Sequence, residues 1–312
     1  MTADVRGSSR PAGEGLDFLI AESKKGRPMT LALACPYGDD ALGAACRAQR
    51  EGVARAVLIG DAARIRSTAE RDGCDITGIT LVDEPDDDRA VEASVRMVSS
   101  GEADFLMKGL VKTSTLLKAV LDKEWGLRTG SLLSHLFLFE VAVLGGRVIG
   151  VSDGGMNTYP DLGAKVKIIE NAVACFHRIG TPQPKIAALA AVEAVNPDMK
   201  ATLEAAALAK MNERGQIKGC LVDGPLALDN AVSEEAARIK GISSPVAGSA
   251  DMLLVPDIES GNFVGKVLMY MTGGKGAGVI LGARKPIVLT SRFDSVETKL
   301  LSISLGAVVA RG

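Results

Sequence analysis

Short runs of β-branched and leucine residues alternate with longer alanine-rich stretches along almost the whole chain. Residues 30–35 and 56–60 are typical of buried strands, and residues 39–51 between them are typical of a helix. The same rhythm continues to a closing helix predicted over residues 296–310. Strands separated by helices usually pair in parallel, because each crossover helix returns the chain to the same end of the sheet. The sequence therefore predicts an α/β protein with helices on both faces of mostly parallel sheets.

Charge and composition exclude several classes of function. The 312 residues carry a formal net charge of −2, so there is no general attraction to nucleic acid or to anionic lipid. Aromatic residues make up only 4% of the chain and provide few platforms for stacked bases. No apolar run approaches the roughly 18 residues that span a bilayer, and the polar residues 1–15 lack the apolar core of a signal peptide. These properties favour either an enzyme that acts on small molecules or an oligomeric scaffold, and we expect a cytoplasmic protein with no nucleic-acid or membrane partner.

The cysteines and histidines form no recognisable metal or disulfide pattern. Five cysteines are scattered without a CxxC pair, and the chain contains only 2 histidines. Cys175 and His177 are close in sequence, but side chains at that spacing on a helix diverge and do not form a catalytic pair. We therefore expect no bound metal and no disulfide framework.

Polar residues cluster where four predicted strands end. Ligands of parallel sheets bind beyond the carboxyl ends of the strands, and the free N–H groups of a helix start favour anions. The four junctions are residues 107–114, 152–157, 222–225 and 290–295. These segments are the candidates for an anion-binding site.

The last junction carries the strongest catalytic pattern. Ser291 and Arg292 directly follow a buried strand. A guanidinium can hold phosphate oxygens through two hydrogen bonds, and a hydroxyl can donate to a developing oxyanion. Asp294 and Glu297 add carboxylates that could accept a thiol proton or orient the arginine. A salt-bridged arginine beside a capping serine explains the same residues equally well, so this pattern alone leaves both interpretations open.

The first junction supplies lysines and hydroxyl groups at the start of a predicted helix. Lys108 and Lys112 could bind phosphate, and Thr113 and Ser114 could donate hydrogen bonds to it. An ordinary helix cap with solvated lysines is the alternative. His135 stands in an otherwise apolar run, where a histidine buried in the core is the simpler interpretation.

From Met107 to the C-terminus, the sequence resembles the phosphate acetyl/butyryltransferase family, and in particular its butyryl branch. The resemblance rests on the segments MKGLVKT, GLRTG, SH (Ser134 and His135), SDGGMNTYPDL, NPDMKATLEAAALAKMNERGQIKGCLVDGPLALDNA, SPVAGSADMLLVPDIESGN and PIVLTSR. The longest of these segments are highly specific. The part of the chain before Met107 matches only in its rhythm of strands and helices.

The resemblance implies a two-domain α/β/α fold like that of isocitrate and isopropylmalate dehydrogenases, with mostly parallel sheets and the active site in a cleft between the domains. The first domain would be discontinuous, with residues 1–151 plus 285–312, and the second would contain residues 152–284. The implied reaction converts acyl-CoA and phosphate into acyl phosphate and coenzyme A. Coenzyme A and phosphate take part as substrates, and no metal or other cofactor is implied. The resemblance also implies a homodimer.

Roles for individual residues follow from the same resemblance. Ser291 and Arg292 would contact the acyl phosphate. The residues that would bind phosphate or acyl-CoA are Lys108, Lys112, Thr113, Ser114, Ser134, His135, Asp153, Gly248, Asn262 and Lys266.

Two positions depart from the acetyl branch of the family. Thr298 stands where that branch has an aspartate that deprotonates the thiol, and Tyr270 stands where it has an arginine implicated in coenzyme A binding. Both departures weaken the acetyl assignment and favour the butyryl branch or a relative with a different acyl preference. Asp294 and Glu297 are the nearby candidates for the base, and Asp294 is favoured because it lies in the Ser-Arg loop itself.

Alternatives to this function remain open in the sequence. One is a phosphate acetyltransferase that uses acetyl-CoA. Another is an NAD-dependent decarboxylating dehydrogenase on the same fold, which needs a carboxylate cluster for a metal, whereas Asp153, Asp223, Asp229 and Asp251 follow different strands. A third is a catalytically silent structural or regulatory homologue, which the retained Ser-Arg pair disfavours.

Overall fold

The computed structural model describes residues 15–291 and 294–312, and the chain divides into two compact units. One unit contains Leu16–Leu133 together with Lys275–Gly312, and we call it the split unit. The other contains Ser134–Gly274, and we call it the middle unit. The closing part of the chain therefore belongs to the same unit as its first third.

Helices and strands follow one another in the predicted alternation. The split unit begins with α1 (Phe18–Ser23), β1 (Met29–Ala34), α2 (Asp39–Arg50), β2 (Ala54–Gly60), α3 (Ala62–Arg71), β3 (Thr80–Asp83), α4 (Asp87–Ser100), β4 (Phe105–Lys108) and α5 (Thr113–Val120). The middle unit contains β5 (Ser134–Val141), β6 (Arg147–Ser152), α6 (Leu162–Arg178), β7 (Lys185–Leu189), α7 (Lys200–Glu213), β8 (Leu221–Leu226), α8 (Leu228–Val232), α9 (Glu234–Ile239), β9 (Met252–Leu254) and α10 (Ile258–Lys266). The split unit is completed by β10 (Gly276–Leu281), β11 (Ile287–Val288) and α11 (Val296–Ala310). None of the helices in the described part of the chain has the length and apolar character of a membrane span.

Each unit contains a mostly parallel arrangement of strands. In the split unit the strand order is β3-β2-β1-β4-β11-β10, and all neighbours are parallel except β11 and β10. In the middle unit the order is β5-β6-β9-β7-β8, and β5 and β6 form the antiparallel pair. Parallel strands joined by helices confirm the predicted α/β class.

The closing helix α11 lies in the core of the split unit. Its residues are apolar on nearly every side and almost all buried, and it packs against α1, α2 and β10. Each buried leucine or isoleucine stabilises the fold by about 1.5–3 kcal/mol. The helix begins after Ser295, whose hydroxyl accepts the Thr298 N–H.

The boundaries of the units lie at other residues than the predicted domain boundaries. The sequence placed them after residue 151 and before residue 285, whereas the units divide before Ser134 and after Gly274. β5 and β6 stay together because they are backbone-paired as a hairpin. β10 pairs with β11 and packs against α11, so it lies in the split unit.

The hairpin of β5 and β6 also differs in detail from its prediction. The sequence of residues 141–151 by itself predicts paired strands closed by a turn at Gly145 and Gly146, but the first strand starts at Ser134 and ends at Val141. A 3-10 turn over Ala142–Leu144 follows it. Both glycines have positive φ, 70° and 77°, as the tight reversal requires. The turn was therefore located correctly, and the first strand lies earlier in the chain than predicted.

Candidate active site

A cavity lies at the carboxyl ends of β1, β4 and β11, which are neighbours in the split unit. Its volume is about 210 Å³. The lining residues follow these strands or belong to α2 and α11: Gly38, Asp40, Ala41, Lys108, Gly109, Leu110, Thr290, Ser291 and Lys299. Parallel α/β sheets bind ligands at this edge. Two of the four polar junctions, residues 107–114 and 290–295, contribute to the cavity.

One wall of the cavity forms where the loop after β4 lies against the end of β1. The Gly109 N–H donates to the Ala34 carbonyl at 2.9 Å, and the Leu110 N–H donates to the Cys35 carbonyl at 2.8 Å. A Cβ on Gly109 would overlap the carbonyl oxygens of Ala34 and Cys35, so only glycine permits this approach. The two strand ends are thereby locked together.

Lys108, one of the predicted phosphate-binding residues, places a buried ammonium group at this wall. Its Nζ donates to the carbonyls of Gly109 and Val111, at 3.0 and 3.1 Å. These carbonyls offset part of the cost of burying the charge and hold the side chain along its own loop. A fixed cation at a strand end is a suitable group for binding an anion.

Lys299 provides a second buried ammonium group, and the sequence did not point to it. The residue lies in the first turns of α11, where its Nζ donates to the Asp294 carbonyl and lies 3.5 Å from Oδ2 of Asp40. The only signal in the sequence is a charged residue in the closing helix beside the run Leu300-Leu301-Ser302-Ile303. Asp40, also missed, belongs to α2 and carries the carboxylate nearest to this lysine.

Asp294 and Ser291 are joined by two hydrogen bonds. The Ser291 N–H donates to Oδ2 of Asp294 at 2.7 Å, and the Asp294 N–H donates to the Ser291 carbonyl at 3.2 Å. Burial raises the pKa of the Asp294 carboxyl, with a smaller upward contribution from Asp40, while the Ser291 N–H and the charge of Lys299 oppose the shift. A carboxylate with a raised pKa is a stronger base than an ordinary aspartate.

The other two predicted catalytic residues are Glu297 and Arg292. Glu297 lies at the start of α11, is half exposed and forms an ion pair with Lys275 at 3.2 Å. The Glu297 side chain is not among the groups that line the cavity. Arg292 lies outside the described residues.

The remaining predicted residues of the first junction are on the surface. α5 begins at Thr113, and Lys112 occupies its N-cap position without a side-chain cap. Lys112, Thr113 and Ser114 are all exposed, and none of the three is among the residues that line the cavity. Of this junction, the cavity uses Lys108, Gly109 and Leu110.

In the middle unit, the buried carboxylate of Asp153 accepts hydrogen bonds that hold the loop after β6 in place. Its two oxygens accept the N–H groups of His135, Gly155 and Met156 at 2.8 to 3.1 Å and the side-chain amide of Asn157 at 2.6 Å. These four donors satisfy the buried carboxylate, which is sufficient to explain Asp153 as a structural residue. Among the described residues, no three His, Cys, Asp or Glu side chains are grouped to hold a metal ion.

Ser134 and His135 begin β5, beside this loop. The Ser134 hydroxyl is buried and accepts a hydrogen bond from Asn171 at 2.9 Å. The Nε2 atom of His135 is inaccessible to solvent and has no hydrogen-bond partner in the described part of the chain. Burial lowers the pKa of the His135 imidazole, although the charge of Asp153 works in the opposite direction.

Three further predicted residues of the middle unit lie in loops and in α10. Gly248 has a φ of 77°, and its N–H donates to the Asn230 carbonyl at 2.8 Å, so it shapes its own loop. Asn262 is exposed at the first turns of α10, with Nδ2 at 3.4 Å from the Gly154 carbonyl. Lys266 is exposed at the end of the same helix.

The split unit is a parallel α/β unit with two buried ammonium groups at its strand ends. These features are typical of an enzyme that acts on anionic substrates. The family described as "Phosphate acetyl/butaryl transferase" matches residues 88–307, which is more than half of the chain. The chain belongs to this family, as the resemblance in its motifs predicted.

Similar proteins support this membership over nearly the full length. The phosphate butyryltransferase of Clostridium acetobutylicum is 47% identical over 292 residues, which cover 94% of this chain and 97% of the relative. The phosphate acetyltransferase of Thermotoga maritima is 46% identical over 291 residues, covering 93% and 98%. Among solved structures, a branched-chain phosphotransacylase from Enterococcus faecalis V583 has a TM-score of 0.80 at 31% identity, with 90% of this chain and 99% of that chain covered.

Proposed function

We propose that the protein is a phosphate acyltransferase that exchanges a short acyl group between coenzyme A and inorganic phosphate. The observation that carries this proposal is the cavity at the ends of β1, β4 and β11, where two buried ammonium groups and Ser291 meet. Such a cavity suits a phosphate anion beside a carbonyl group that gains negative charge. Family membership supplies the reaction that needs both.

The chemistry requires no covalent intermediate with the protein. An oxygen of phosphate attacks the carbonyl carbon of the thioester, a new C–O bond forms, and the C–S bond breaks. The thiolate of coenzyme A leaves and takes up a proton. Holding phosphate and thioester together supplies a large part of the acceleration. Ser291 and Arg292 are proposed to stabilise the oxyanion and to bind phosphate, in keeping with the family resemblance.

Asp294 is proposed as the base that removes the thiol proton in the reverse direction. It is buried, and it is bonded to the backbone of Ser291. Its raised pKa brings it closer to that of a thiol, which is about 8.5. Glu297 is the less suitable candidate, because it is half exposed and paired with Lys275.

The length of the acyl chain is a finer part of the proposal. The relatives named for butyryl and for acetyl transfer are 47% and 46% identical to this chain, so identity does not separate them. The presence of Thr298 and Tyr270 supports a butyryl-like preference over an acetyl one. Rates with acetyl-, propionyl- and butyryl-CoA would decide this, and a higher kcat/KM for acetyl-CoA would contradict the preference.

Several binding residues are proposed from the family resemblance. The candidates for contacts with acyl-CoA and phosphate outside the cavity are Lys112, Thr113, Ser114, Ser134, His135, Asp153, Gly248, Asn262 and Lys266. The enzyme is further proposed to need no cofactor, to form a homodimer and to work in the cytoplasm. Light scattering of the purified protein and cell fractionation would test the last two statements.

The central test is an assay of thiol release. Purified protein is expected to release free coenzyme A from a short acyl-CoA only when phosphate is present, and to do so after treatment with EDTA and without nucleotide. Thiol release without phosphate would indicate a hydrolase. A requirement for NAD would favour the dehydrogenase alternative, and either result would contradict the proposed function.

A further inference from the structure

Lys299 is a buried cation whose ion pairing is loose. Only 5% of its side chain is exposed, and its Nζ donates to the Asp294 carbonyl and lies 3.5 Å from Oδ2 of Asp40. The Asp40 side chain is 42% exposed, and the charge of Lys299 also acts on the buried Asp294 carboxyl. Burying an ammonium group is costly, and the cost is offset best by a close ion pair, which Lys299 does not form in the described residues.

A second buried lysine in the same chain shows how such a charge is normally satisfied. Lys165 in α6 is also 5% exposed, but its Nζ lies 2.5 Å from Oε2 of Glu204, whose side chain is only 13% exposed. Lys165 therefore forms a close internal ion pair. Lys299 instead holds its charge at the wall of a cavity, beside Ser291 and Lys108. The looser pairing leaves the Lys299 ammonium group in a position to donate to an anion in the cavity.

We propose that Lys299 is a phosphate-binding residue, which contacts the phosphate or the phosphoryl group of the acyl phosphate directly. The proposal rests on the proposed function of this site. Together with Lys108 it would place two ammonium groups on one anion, and each can donate a charge-assisted hydrogen bond.

The size of the cavity selects the small anion over coenzyme A. A volume of about 210 Å³ far exceeds the ~15 Å³ that one water molecule needs. It is below the ~300–1,000 Å³ of pockets that enclose drug-sized ligands. The cavity therefore accommodates phosphate and the reacting carbonyl group, and the body of coenzyme A would extend beyond it. Lys299 is accordingly expected to affect phosphate and not the thioester.

The first experiment compares the two substrates in the variant Lys299→Met, which removes the charge and keeps a similar length. The KM for phosphate is expected to rise about 10- to 100-fold, as when one charge-assisted hydrogen bond is lost. The KM for acyl-CoA is expected to stay within about threefold of the wild type, a margin below one neutral hydrogen bond. Equal changes in both constants, or no change in either, would overturn the proposal.

A matched control separates binding from stability. Lys165→Met removes a lysine of the same burial, so it is expected to lower Tm without changing the ratio of the two KM values. If it raises the phosphate KM selectively as well, the effect of Lys299→Met is a consequence of lost stability, and the proposal fails.

A second variant tests the anion site at a partly exposed residue, where a substitution is not expected to disturb folding. Asp40→Asn removes the competing negative charge on a partly exposed residue. The KM for phosphate should fall about 5-fold, since a like charge near the bound anion is lost. A rise or no change would count against a phosphate beside Lys299.

Direct binding separates this proposal from the proposed function. Inorganic phosphate, added to the wild type, is expected to raise Tm in proportion to ln(1 + [L]/Kd), and Lys299→Met should lose this increase. If the wild type lacks acyltransferase activity but shows the Lys299-dependent shift, the function fails and the anion site stands. If the wild type is active and phosphate stabilises both proteins equally, the role of Lys299 is refuted.

Discussion

Asp294→Asn is the sharpest test of the catalytic assignment, because it removes a charge and almost nothing else. Oδ2 of Asp294 accepts the Ser291 N–H at 2.7 Å, and the oxygen of an asparagine amide can accept the same bond. The Lys299 contact goes to the Asp294 backbone carbonyl and does not depend on the side chain. These hydrogen bonds should therefore persist in the variant.

The expected effect is on the chemical step. Loss of a general base typically costs about 10²- to 10⁴-fold in rate, equivalent to about 2.7–5.4 kcal/mol of transition-state stabilisation. We expect kcat for thioester formation from acyl phosphate to fall within this range. In the wild type the rate should decline as the pH falls through the raised pKa of Asp294, and this acidic limb should be absent in the variant.

The same Asp294→Asn variant should be more stable than the wild type at high pH, although it is less active. The pKa of Asp294 is raised in the fold, so the carboxyl stabilises the protein most when it is protonated, below the ordinary aspartate value of about 3.9. That contribution is lost as the pH rises through the raised value. Asparagine is uncharged throughout. The variant should equal the wild type in Tm near pH 4 and exceed it at pH 8, with about 2–4 °C for each kcal/mol gained.

Glu297→Gln is the matched control, because it makes the same change on a half-exposed residue in the next turn. Its kcat should stay within about twofold of the wild type, since exposed ion pairs contribute about 0–1 kcal/mol. The assay is thiol consumption followed across pH 5–9, with Tm measured on the same samples. A near-normal rate in Asp294→Asn, or an equal loss in Glu297→Gln, would refute the assignment of the base.

Two further predictions concern the cavity. Ser291→Ala should lower kcat about 10²- to 10³-fold, as when one oxyanion donor is lost, and should change the KM for acyl-CoA little. Initial rates at varied acyl-CoA would show this, and a change confined to KM would indicate a binding role only. Gly109→Ala should lower Tm by at least about 5 °C, because the added methyl group overlaps the carbonyls of Ala34 and Cys35 and forces the strand ends apart. Thermal unfolding would measure this loss. The comparison is Gly130→Ala, where the φ of 83° causes backbone strain but no atom lies close to the added methyl group. Equal losses of Tm in the two variants would contradict the steric argument.

The order of strands and helices could be predicted from the sequence because it depends on local properties. A strand such as β1 is a short apolar run, and a helix such as α2 is an alanine-rich stretch, so each is visible within a dozen residues. Parallel pairing then places the polar junctions at strand ends, which is why Lys108 and Ser291 are recognisable as candidates from the sequence alone.

The boundaries of the units were harder to predict because they depend on pairing between strands. β5 and β6 carry the same apolar pattern as strands of either unit. β10 lies within the predicted second domain by sequence, but its backbone pairs with β11. Apolar periodicity shows that a strand is buried and does not show which neighbour buries it.

The cavity as a whole was decided by the tertiary structure. Asp40 and Lys299 are far apart in the chain, and neither belongs to a polar junction. They meet because β11 inserts beside β4 and because the apolar faces of α11 and α2 pack together. Lys299 is carried into the interior by the burial of its neighbours Leu300 and Leu301, so its position follows from long-range packing and not from its own chemistry.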